Sequence, residues 1–276
     1  MKAALLQLTS SDDPAENLET VQELVSRAAS SGADFVLTPE VTNCVSASRT
    51  RQNEVLRREA EDITLPALCE TAAHHGIWLL IGSLALKSEP PEERFVNRSF
   101  LIDPNGAIVA RYDKMHMFDV QVSDEETYRE SAGYAPGDRA VLAETPFGKI
   151  GLTICYDLRF AYLYRRLAQA GARLLTVPSA FSTATGPLHW EPLLRARAIE
   201  TGSYVLAPAQ VGTHSASRGK TRKTYGHSMV VSPWGEVLID ADDTPGVHMV
   251  EIDPDTAEDA RKKVPSLTHD RAFVGP

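Results

Sequence analysis

The stretch GKIGLTICYDLRF, residues 148–160, contains a cysteine directly after a short apolar run. The β-branched and apolar residues 150–154 predict a buried strand, and residues 160–171 predict a helix that ends at Gly171. Cys155 therefore lies at a junction between a strand and a helix, where the partial positive charge of a helix N-terminus would stabilise a thiolate. Two interpretations stay open at this point: an inert buried thiol, or a nucleophile.

The length and composition of the chain indicate one large α/β domain over residues 1–276. Of the 276 residues, 43% are hydrophobic, which is enough to bury a full-size core. A formal net charge of −9 argues against a nucleic-acid partner. We expect neither a signal peptide nor a membrane span, because the opening MKAALLQL turns polar at Thr9 and no apolar run approaches roughly 20 residues.

The cysteine spacing and the absence of several sequence motifs exclude further classes of functional site. Three cysteines at irregular spacing suit reduced thiols and predict a cytoplasmic protein. The motifs CxxC, HExxH, GxGxxG and GxSxG and the P-loop pattern are absent from the sequence. We therefore expect no metal and no organic cofactor.

Strand-like and helix-like segments alternate along the chain. We expect strands near residues 3–8, 35–38, 78–84, 96–103, 108–112, 149–154, 174–178, 204–209, 229–232 and 247–252. We expect helices over residues 14–31, 50–75, 160–170, 187–201 and 255–263. Turns at 103–106 (DPNG) and 233–235 (PWG) predict two β-hairpins. These segments predict an α/β sandwich of layered sheets, and the long polar segment 115–137 predicts a loop that serves a site.

Two further residues with possible chemistry follow predicted strands. Glu40 ends the run DFVLTPE, and Lys114 comes just after a strand that ends near Tyr112. Loops at strand ends are where α/β folds place catalytic groups. Taken singly, Glu40 is an ordinary loop carboxylate and Lys114 an ordinary surface lysine. Only their occurrence together with Cys155 indicates a catalytic site.

Together, these residues and their flanking motifs resemble the carbon–nitrogen hydrolase (nitrilase) superfamily, whose catalytic set is Glu–Lys–Cys. The matching stretches are TPE (38–40), YDKMHMF (112–118) and GLTICYDLRF (151–160). The stretches at 179–210 and 225–238 resemble the Nit-type amidases, in particular the branch that acts on deaminated glutathione. This chain departs from the family after residue 160 and in the C-terminal segment SLTHDRAFVGP, so tail contacts are not carried over.

The resemblance implies an αββα sandwich, a homodimer or higher homo-oligomer, and a small-molecule amide substrate. It implies that Cys155 attacks the amide carbon with Glu40 as the base. The Lys114 ammonium and the backbone N–H of Tyr156 would hold the oxyanion, and Lys114 would leave Cys155 partly ionised. Glu130 matches a second family glutamate that orients Lys114. The alternative interpretation of Glu130 is one more acid after the acidic run at 124–126.

The resemblance also implies that Arg159 and Thr185 bind a substrate carboxylate; alternatively, Arg159 pairs with Asp157 or another acid. His116 could line the site or support it from behind, and Glu191 could support Lys114 or only pack. Within the family, the alternatives are an ω-amidase acting on 2-oxoglutaramate or 2-oxosuccinamate, and an N-carbamoyl amide hydrolase. Outside it, we consider a papain-like Cys–His hydrolase, for which no histidine has a matching motif, and a catalytically silent binding protein.

Overall fold

The computed structural model describes residues 1–122 and 127–275 of the chain. Six α-helices lie within these ranges: α1 (Pro14–Ser30), α2 (Arg49–Val55), α3 (Thr64–His75), α4 (Ala161–Gln169), α5 (Gly186–Thr201) and α6 (Thr256–Lys263). Short 3₁₀ helices occur at Glu59–Glu61, Glu130–Ala132, Cys155–Arg159 and Ser266–Thr268.

Sixteen strands lie within the same ranges and form two large sheets and two small hairpins. The strands are β1 (Lys2–Gln7), β2 (Phe35–Leu37), β3 (Trp78–Lys87), β4 (Phe95–Ile102), β5 (Ile108–Asp113), β6 (Asp119–Gln121), β7 (Thr127–Arg129), β8 (Val141–Thr145), β9 (Gly148–Leu152), β10 (Ala172–Thr176), β11 (Tyr204–Ala207), β12 (Val211–His214), β13 (Arg222–Tyr225), β14 (Met229–Val231), β15 (Val237–Asp240) and β16 (Gly246–Glu251).

Both large sheets have a parallel centre and antiparallel edges. Sheet A has the strand order β16-β1-β2-β3-β4-β5, and sheet B has the order β15-β14-β11-β10-β9-β8. Strands β1, β2 and β3 are parallel in sheet A, as are β9, β10 and β11 in sheet B. Parallel neighbours require crossover connections, which here contain α1 and α3 for sheet A and α4 and α5 for sheet B. The loops at the carboxyl ends of β2 and β9 are therefore available for a site.

Alternation along the strands divides the core into layers. Leu5 and Leu37 of sheet A belong to a buried cluster shared with sheet B and with α4 and α5. Their neighbours Leu6 and Val36 point to the other face and pack with residues of α1 and α3. Helices thus cover the outer face of each sheet while the inner faces pack together, which confirms the predicted αββα sandwich.

The single helix predicted over residues 50–75 is wrong. The helix α2 ends at Val55, and Leu56 is extended, with a ψ of 149°. Asp62 then starts α3, because its Oδ1 accepts hydrogen bonds from the N–H groups of Thr64 and Leu65 at 2.9 and 2.8 Å. A side chain that satisfies free N–H groups in this way is typical of a helix start, and it divides one predicted helix into two.

The polar segment 115–137 contains more structure than we expected. Its described part forms the hairpin β6–β7 and the 3₁₀ helix Glu130–Ala132, whereas the acidic run at 124–126 lies outside the described residues. Strands β8, β12 and β13 were also missed, because short strands with partly exposed faces show little hydrophobic alternation. None of the helices in the two described ranges has the length and apolar character needed to cross a membrane.

Candidate active site

Cys155 is the first residue of the 3₁₀ helix Cys155–Arg159, which precedes α4. Its φ of +48° lies in the left-handed region that residues other than glycine rarely adopt. The buried Asp157 holds this turn, because its carboxylate accepts a hydrogen bond from the Ile154 N–H at 2.8 Å. Backbone strain of this kind is concentrated at functional sites. The geometry therefore favours Cys155 as a presented nucleophile over Cys155 as an inert thiol.

Glu40 lies three residues beyond the end of β2 and is only 4% exposed. Its Oε1 accepts hydrogen bonds from Asn97 Nδ2 and Lys114 Nζ, each at 2.9 Å. Its Oε2 accepts one from the Ala180 N–H at 2.7 Å. Burial by itself raises the pKa of Glu40, but the charges of Lys114 and Arg222 outweigh burial and lower the pKa below the ordinary 4.5. Glu40 is therefore a carboxylate that can accept a proton.

Lys114 directly follows β5 and is 2% exposed. Its Nζ lies 2.9 Å from Glu40 Oε1 and 2.9 Å from each carboxylate oxygen of Glu130. Burial alone would lower the pKa of Lys114, but the charges of Glu130 and Glu40 raise it well above its usual value. Glu130 Oε2 also accepts a hydrogen bond from the Phe118 N–H at 2.6 Å. Lys114 is thus a fixed ammonium, and the predicted contact between it and Glu130 is present.

The net charge of Glu40, Lys114 and Glu130 determines the protonation state of the Cys155 thiol. Two carboxylates and one ammonium carry one net negative charge, so a thiolate would add a second negative charge to a buried site. Burial raises the pKa of the Cys155 thiol, the charge of Glu40 raises it further, and Lys114 offsets only part of this effect. The expectation of a partly ionised Cys155 is therefore wrong. Burial and the Glu40 charge therefore favour the protonated thiol.

A cavity of about 660 Å³ opens above these groups. The predicted residues that line it are Glu40, Lys114, Glu130, Cys155, Tyr156 and Thr185. Thr185 lines the cavity, and its hydroxyl oxygen is buried without a hydrogen-bond partner among the residues described. The backbone N–H of Tyr156 lies in the first turn of a helix, where N–H groups have no partner within the helix. It can therefore act with Lys114 on an oxyanion.

Five further cations line the same cavity: Arg49, Arg129, Lys220, Arg222 and Lys223. Within the described ranges, none of the five forms an ion pair with a carboxylate. Arg222 is half-buried, and the other four are exposed. On a chain with a net charge of −9, this local excess of positive charge indicates an anionic ligand.

Arg159 is not among the residues that line the cavity. Its Nη2 lies 3.1 Å from His189 Nδ1, and its guanidinium lies over the rings of Tyr156 and Phe181. It forms no ion pair with Asp157, which was the alternative interpretation, because that carboxylate is occupied by other partners in the described structure. The geometry brings Thr185 into the site and leaves Arg159 outside its wall.

His116 and Glu191 also lie outside the cavity wall. His116 supports the nucleophile turn from behind: its Nδ1 lies 2.6 Å from Asp157 Oδ1, and its ring stacks on Phe160 with centroids 3.6 Å apart. Glu191 pairs with Arg195 one helical turn away, at 3.1 Å. The suggestion that Glu191 supports Lys114 is wrong, because an exposed i,i+4 pair on α5 satisfies it instead.

Three residues of the site were missed from the sequence: Asn97, Ala180 and Arg222. Asn97, on β4, positions Glu40 through its side-chain amide, and Ala180 does so through its backbone N–H. Neither contact has a sequence signature. Arg222 belongs to the run RGKTRK at 218–223, whose density of cations was an available indication of an anionic ligand.

One group of possible metal ligands lies outside the cavity wall. The ligand atoms of His227, Asp240 and Asp242 lie within 4.8 Å of one another. His227 Nδ1 already lies 2.9 Å from Asp240 Oδ1, at an ordinary hydrogen-bond distance. This group has no connection to the Glu–Lys–Cys cluster, and we assign it no part in the chemistry.

Known proteins resemble this chain over nearly its whole length. Residues 2–262 match the family described as Carbon-nitrogen hydrolase. Proteins named deaminated glutathione amidase from Synechocystis sp. strain PCC 6803 and Yersinia enterocolitica are 40% and 38% identical, covering 99% and 97% of this chain and 98% and 92% of their own. The crystal structure of the C. elegans NitFhit protein superposes with a TM-score of 0.89 at 35% identity. That match covers 98% of this chain and 65% of the NitFhit chain.

Proposed function

The chain belongs to the carbon–nitrogen hydrolase family, and from this membership we propose that it hydrolyses the amide bond of deaminated glutathione through a cysteine thioester. This substrate is glutathione with a 2-oxo group in place of the amino group, so each half of the cleaved amide carries a carboxylate. The observation that carries the proposal is the cluster of Glu40, Lys114 and Cys155 beneath a cavity wall with five cations that form no salt bridge to the carboxylates of the described residues. The products are 2-oxoglutarate and a dipeptide.

In the first step, Cys155 Sγ attacks the amide carbon while Glu40 takes the thiol proton. Concerted transfer suits the charges of the site, because the thiol is protonated at rest and Glu40 is ionised. Glu40 accepts three hydrogen bonds, which hold its carboxylate in a fixed position in the site. A nucleophile activated in this way needs no histidine.

The attack moves negative charge onto the former carbonyl oxygen. The Lys114 ammonium and the Tyr156 N–H are the donors that can stabilise this oxyanion. Glu130 accepts two hydrogen bonds from Lys114 and keeps its ammonium in place. We therefore assign Glu130 the role of a positioning residue.

The remaining steps return the protein to its starting state. Protonated Glu40 gives its proton to the leaving nitrogen as the C–N bond breaks, which leaves a thioester on Cys155. A water molecule then attacks the thioester carbon and gives a proton to Glu40. The C–S bond breaks, and Cys155 Sγ takes the proton back from Glu40.

The charge and size of the cavity support this substrate over smaller amides. An ω-amidase substrate such as 2-oxoglutaramate has one carboxylate and releases ammonia, whereas deaminated glutathione has two carboxylates and fills more of a 660 Å³ cavity. Cations on several sides of the wall suit an anion with charge at both ends.

The test of the proposed function is product release from a matched substrate panel. We expect the highest kcat/KM for deaminated glutathione, with 2-oxoglutaramate and 2-oxosuccinamate lower and propionamide, a nitrile and an N-carbamoyl amino acid lowest. Preference for 2-oxoglutaramate would make the protein an ω-amidase. Stoichiometric labelling of Cys155 without turnover of any panel member would indicate a silent binding protein.

We also propose that the chain acts as one cytoplasmic domain that forms at least a homodimer. Its three cysteines are free, which suits a reducing compartment. Leu188 and Ile199 of α5 are 76% and 56% exposed, and the 57% exposed Trp234 precedes Gly235, which lies next to Ile199. An exposed apolar surface of this kind supports association with a second copy. Light scattering should give at least twice the mass of one chain, and a monomer at micromolar concentration would refute this.

A further inference from the structure

We propose that Asp157 is a positioning residue for the two oxyanion donors, because its carboxylate joins the segment that carries Lys114 to the turn that carries Cys155. The family resemblance assigns Asp157 no part in the reaction. The inference rests on the proposed function, in which the Lys114 ammonium and the Tyr156 N–H stabilise the oxyanion.

The carboxylate of Asp157 is fully buried and has four hydrogen-bond contacts. Its Oδ1 accepts from the His116 backbone N–H at 3.1 Å and lies 2.6 Å from His116 Nδ1. Its Oδ2 accepts from the Tyr112 hydroxyl at 2.6 Å and from the Ile154 N–H at 2.8 Å. A carboxylate has about four lone-pair sites, so these contacts use its whole capacity. Because a carboxylate only accepts, the proton of the His116 ring lies on Nδ1.

The four donors belong to two separate parts of the chain. Ile154 directly precedes the 3₁₀ helix that begins at Cys155, so its bond to Asp157 holds the local turn. The other three bonds come from Tyr112 and His116, which lie two residues before and two residues after Lys114. A residue that only capped the 3₁₀ helix would need the bond from Ile154 alone. Asp157 therefore also fixes the backbone on both sides of Lys114.

This connection runs between the two sheets. Lys114 follows β5 of sheet A, whereas Cys155 follows β9 of sheet B. The Lys114 N–H donates to the Asn97 carbonyl oxygen at 2.9 Å, which fixes Lys114 only within sheet A. The bonds to Asp157 add a fixed position relative to sheet B. Since Tyr156 directly precedes Asp157, both oxyanion donors lie in the segments that Asp157 joins.

The groups around Asp157 make this connection rigid. Burial, and then the charge of Asp157, raises the pKa of Tyr112, so its hydroxyl stays protonated and donates. Hydrogen bonds to a charged acceptor are about twice as strong as bonds between neutral groups. The His116 ring is held on its other side as well, because its Nε2 lies 2.5 Å from the Tyr162 hydroxyl. Fixed donors of this kind are what an oxyanion site requires.

The test is a double-mutant cycle between Asp157 and Lys114 with kcat for deaminated glutathione as the readout. Asp157→Asn keeps the size of the side chain but replaces one acceptor oxygen with an N–H₂ group that faces other donors. In the otherwise unchanged protein, this substitution should lower kcat roughly tenfold to a hundredfold. In Lys114→Met, the same substitution should lower kcat less than about threefold, because a positioning residue has no effect once the group it positions is gone.

Two further variants accompany the cycle. Tyr112→Phe is milder, because it removes one of the four bonds, and it should lower kcat about threefold to tenfold only when Lys114 is present. This variant decides the question if Asp157→Asn does not fold. The control is Asp240→Asn, which removes a carboxylate that lies 2.9 Å from His227 Nδ1 outside the cavity wall. It should change kcat less than about twofold. Equal losses with and without Lys114 would overturn the inference.

A binding measurement separates this inference from the proposed function. Propanal adds to a thiol: the S–C bond forms, the C=O π bond breaks, and the thiol proton moves to the aldehyde oxygen, which takes the place of the oxyanion. Protection of Cys155 from iodoacetamide by propanal, relative to the same protein without propanal, measures this affinity. It should fall at least about tenfold in Asp157→Asn, and less than about threefold when that change is added to Lys114→Met.

The two possible failures give different results. Unchanged propanal affinity and unchanged kcat in folded Asp157→Asn would overturn the role of Asp157. Failure of the wild-type protein to hydrolyse any amide of the panel would overturn the proposed function instead, while protection by propanal would still decide whether Asp157 acts through Lys114.

Discussion

Replacing Glu130 with Gln should change amide turnover and thiol reactivity in opposite directions. Both carboxylate oxygens of Glu130 accept from Lys114 Nζ at 2.9 Å, and Oε2 also accepts from the Phe118 N–H. Glutamine keeps the shape and can still accept from Phe118. It removes one negative charge from the buried cluster and presents an amide N–H₂ toward the Lys114 ammonium. Among the residues that the structure describes, Lys114 then keeps Glu40 as its carboxylate partner.

The structure gives a magnitude for each effect. Loss of a hydrogen bond to a charged group costs about 1.5–3 kcal/mol, so kcat should fall roughly tenfold to a hundredfold as Lys114 loses its position. Burial is the largest cause of the raised pKa of Cys155, followed by Glu40, and the charge of Glu130 adds to it. Removing that charge should lower the thiol pKa by about one unit, the low end of the effect of a nearby charge.

The assay pairs steady-state turnover with the pH dependence of alkylation by iodoacetamide. In Glu130→Gln, kcat should fall while the alkylation midpoint moves to lower pH, giving faster labelling at any pH below that midpoint. The control is Glu191→Gln, an exposed glutamate paired with Arg195, which should change neither quantity. If labelling slowed together with turnover, Glu130 would be a structural residue and the charge argument would be refuted.

Three further predictions concern single residues. Cys155→Ser should abolish amine release with the fold intact, whereas Cys69→Ser should keep most activity; turnover by the Cys155 variant would exclude the thioester route. Lys114→Met should lower kcat by more than about a hundredfold, and an effect on KM alone would show that Lys114 only binds substrate. Burial lowers the pKa of His214 from 6.5 to about 4, so its contribution to stability is present above pH 6.5 and lost as pH falls toward 4. Urea titrations at pH 7 and pH 4 measure how much free energy of unfolding is lost on acidification. This loss should be about 3 kcal/mol smaller in His214→Gln than in wild type or in the control His269→Gln. Equal losses would contradict the burial argument.

The sequence was most informative where function depends on position along a strand. Glu40, Lys114 and Cys155 each follow a predicted strand, and the sheets bring these strand ends to one cavity. The layered α/β architecture followed from the many strand-like segments with helices between them, because sheets and helices must bury their apolar faces against one another.

The sequence was least informative where a property depends on distant parts of the chain. The state of Cys155 depends on burial by both sheets and on the total charge of the cluster, neither of which is local. The position of Arg222 depends on how β13 packs against the segment that contains Ala180. The break after α2 depends on one capping side chain, Asp62, in a region whose apolar periodicity suits a helix throughout.

The division of the catalytic residues between the two sheets has a mechanical consequence. Glu40 and Lys114 extend from strands of sheet A, whereas Cys155 extends from sheet B. The distance between the Cys155 thiol and the Glu40 carboxylate, over which the proton travels, therefore depends on how sheet A packs against sheet B. A relative shift of a fraction of an ångström between the sheets would leave every helix and strand intact. It would still move the Cys155 thiol away from the Glu40 carboxylate. The catalytic rate of this protein therefore depends on the relative position of the two sheets. It should decline under mild heat or denaturant before any spectroscopic sign of unfolding.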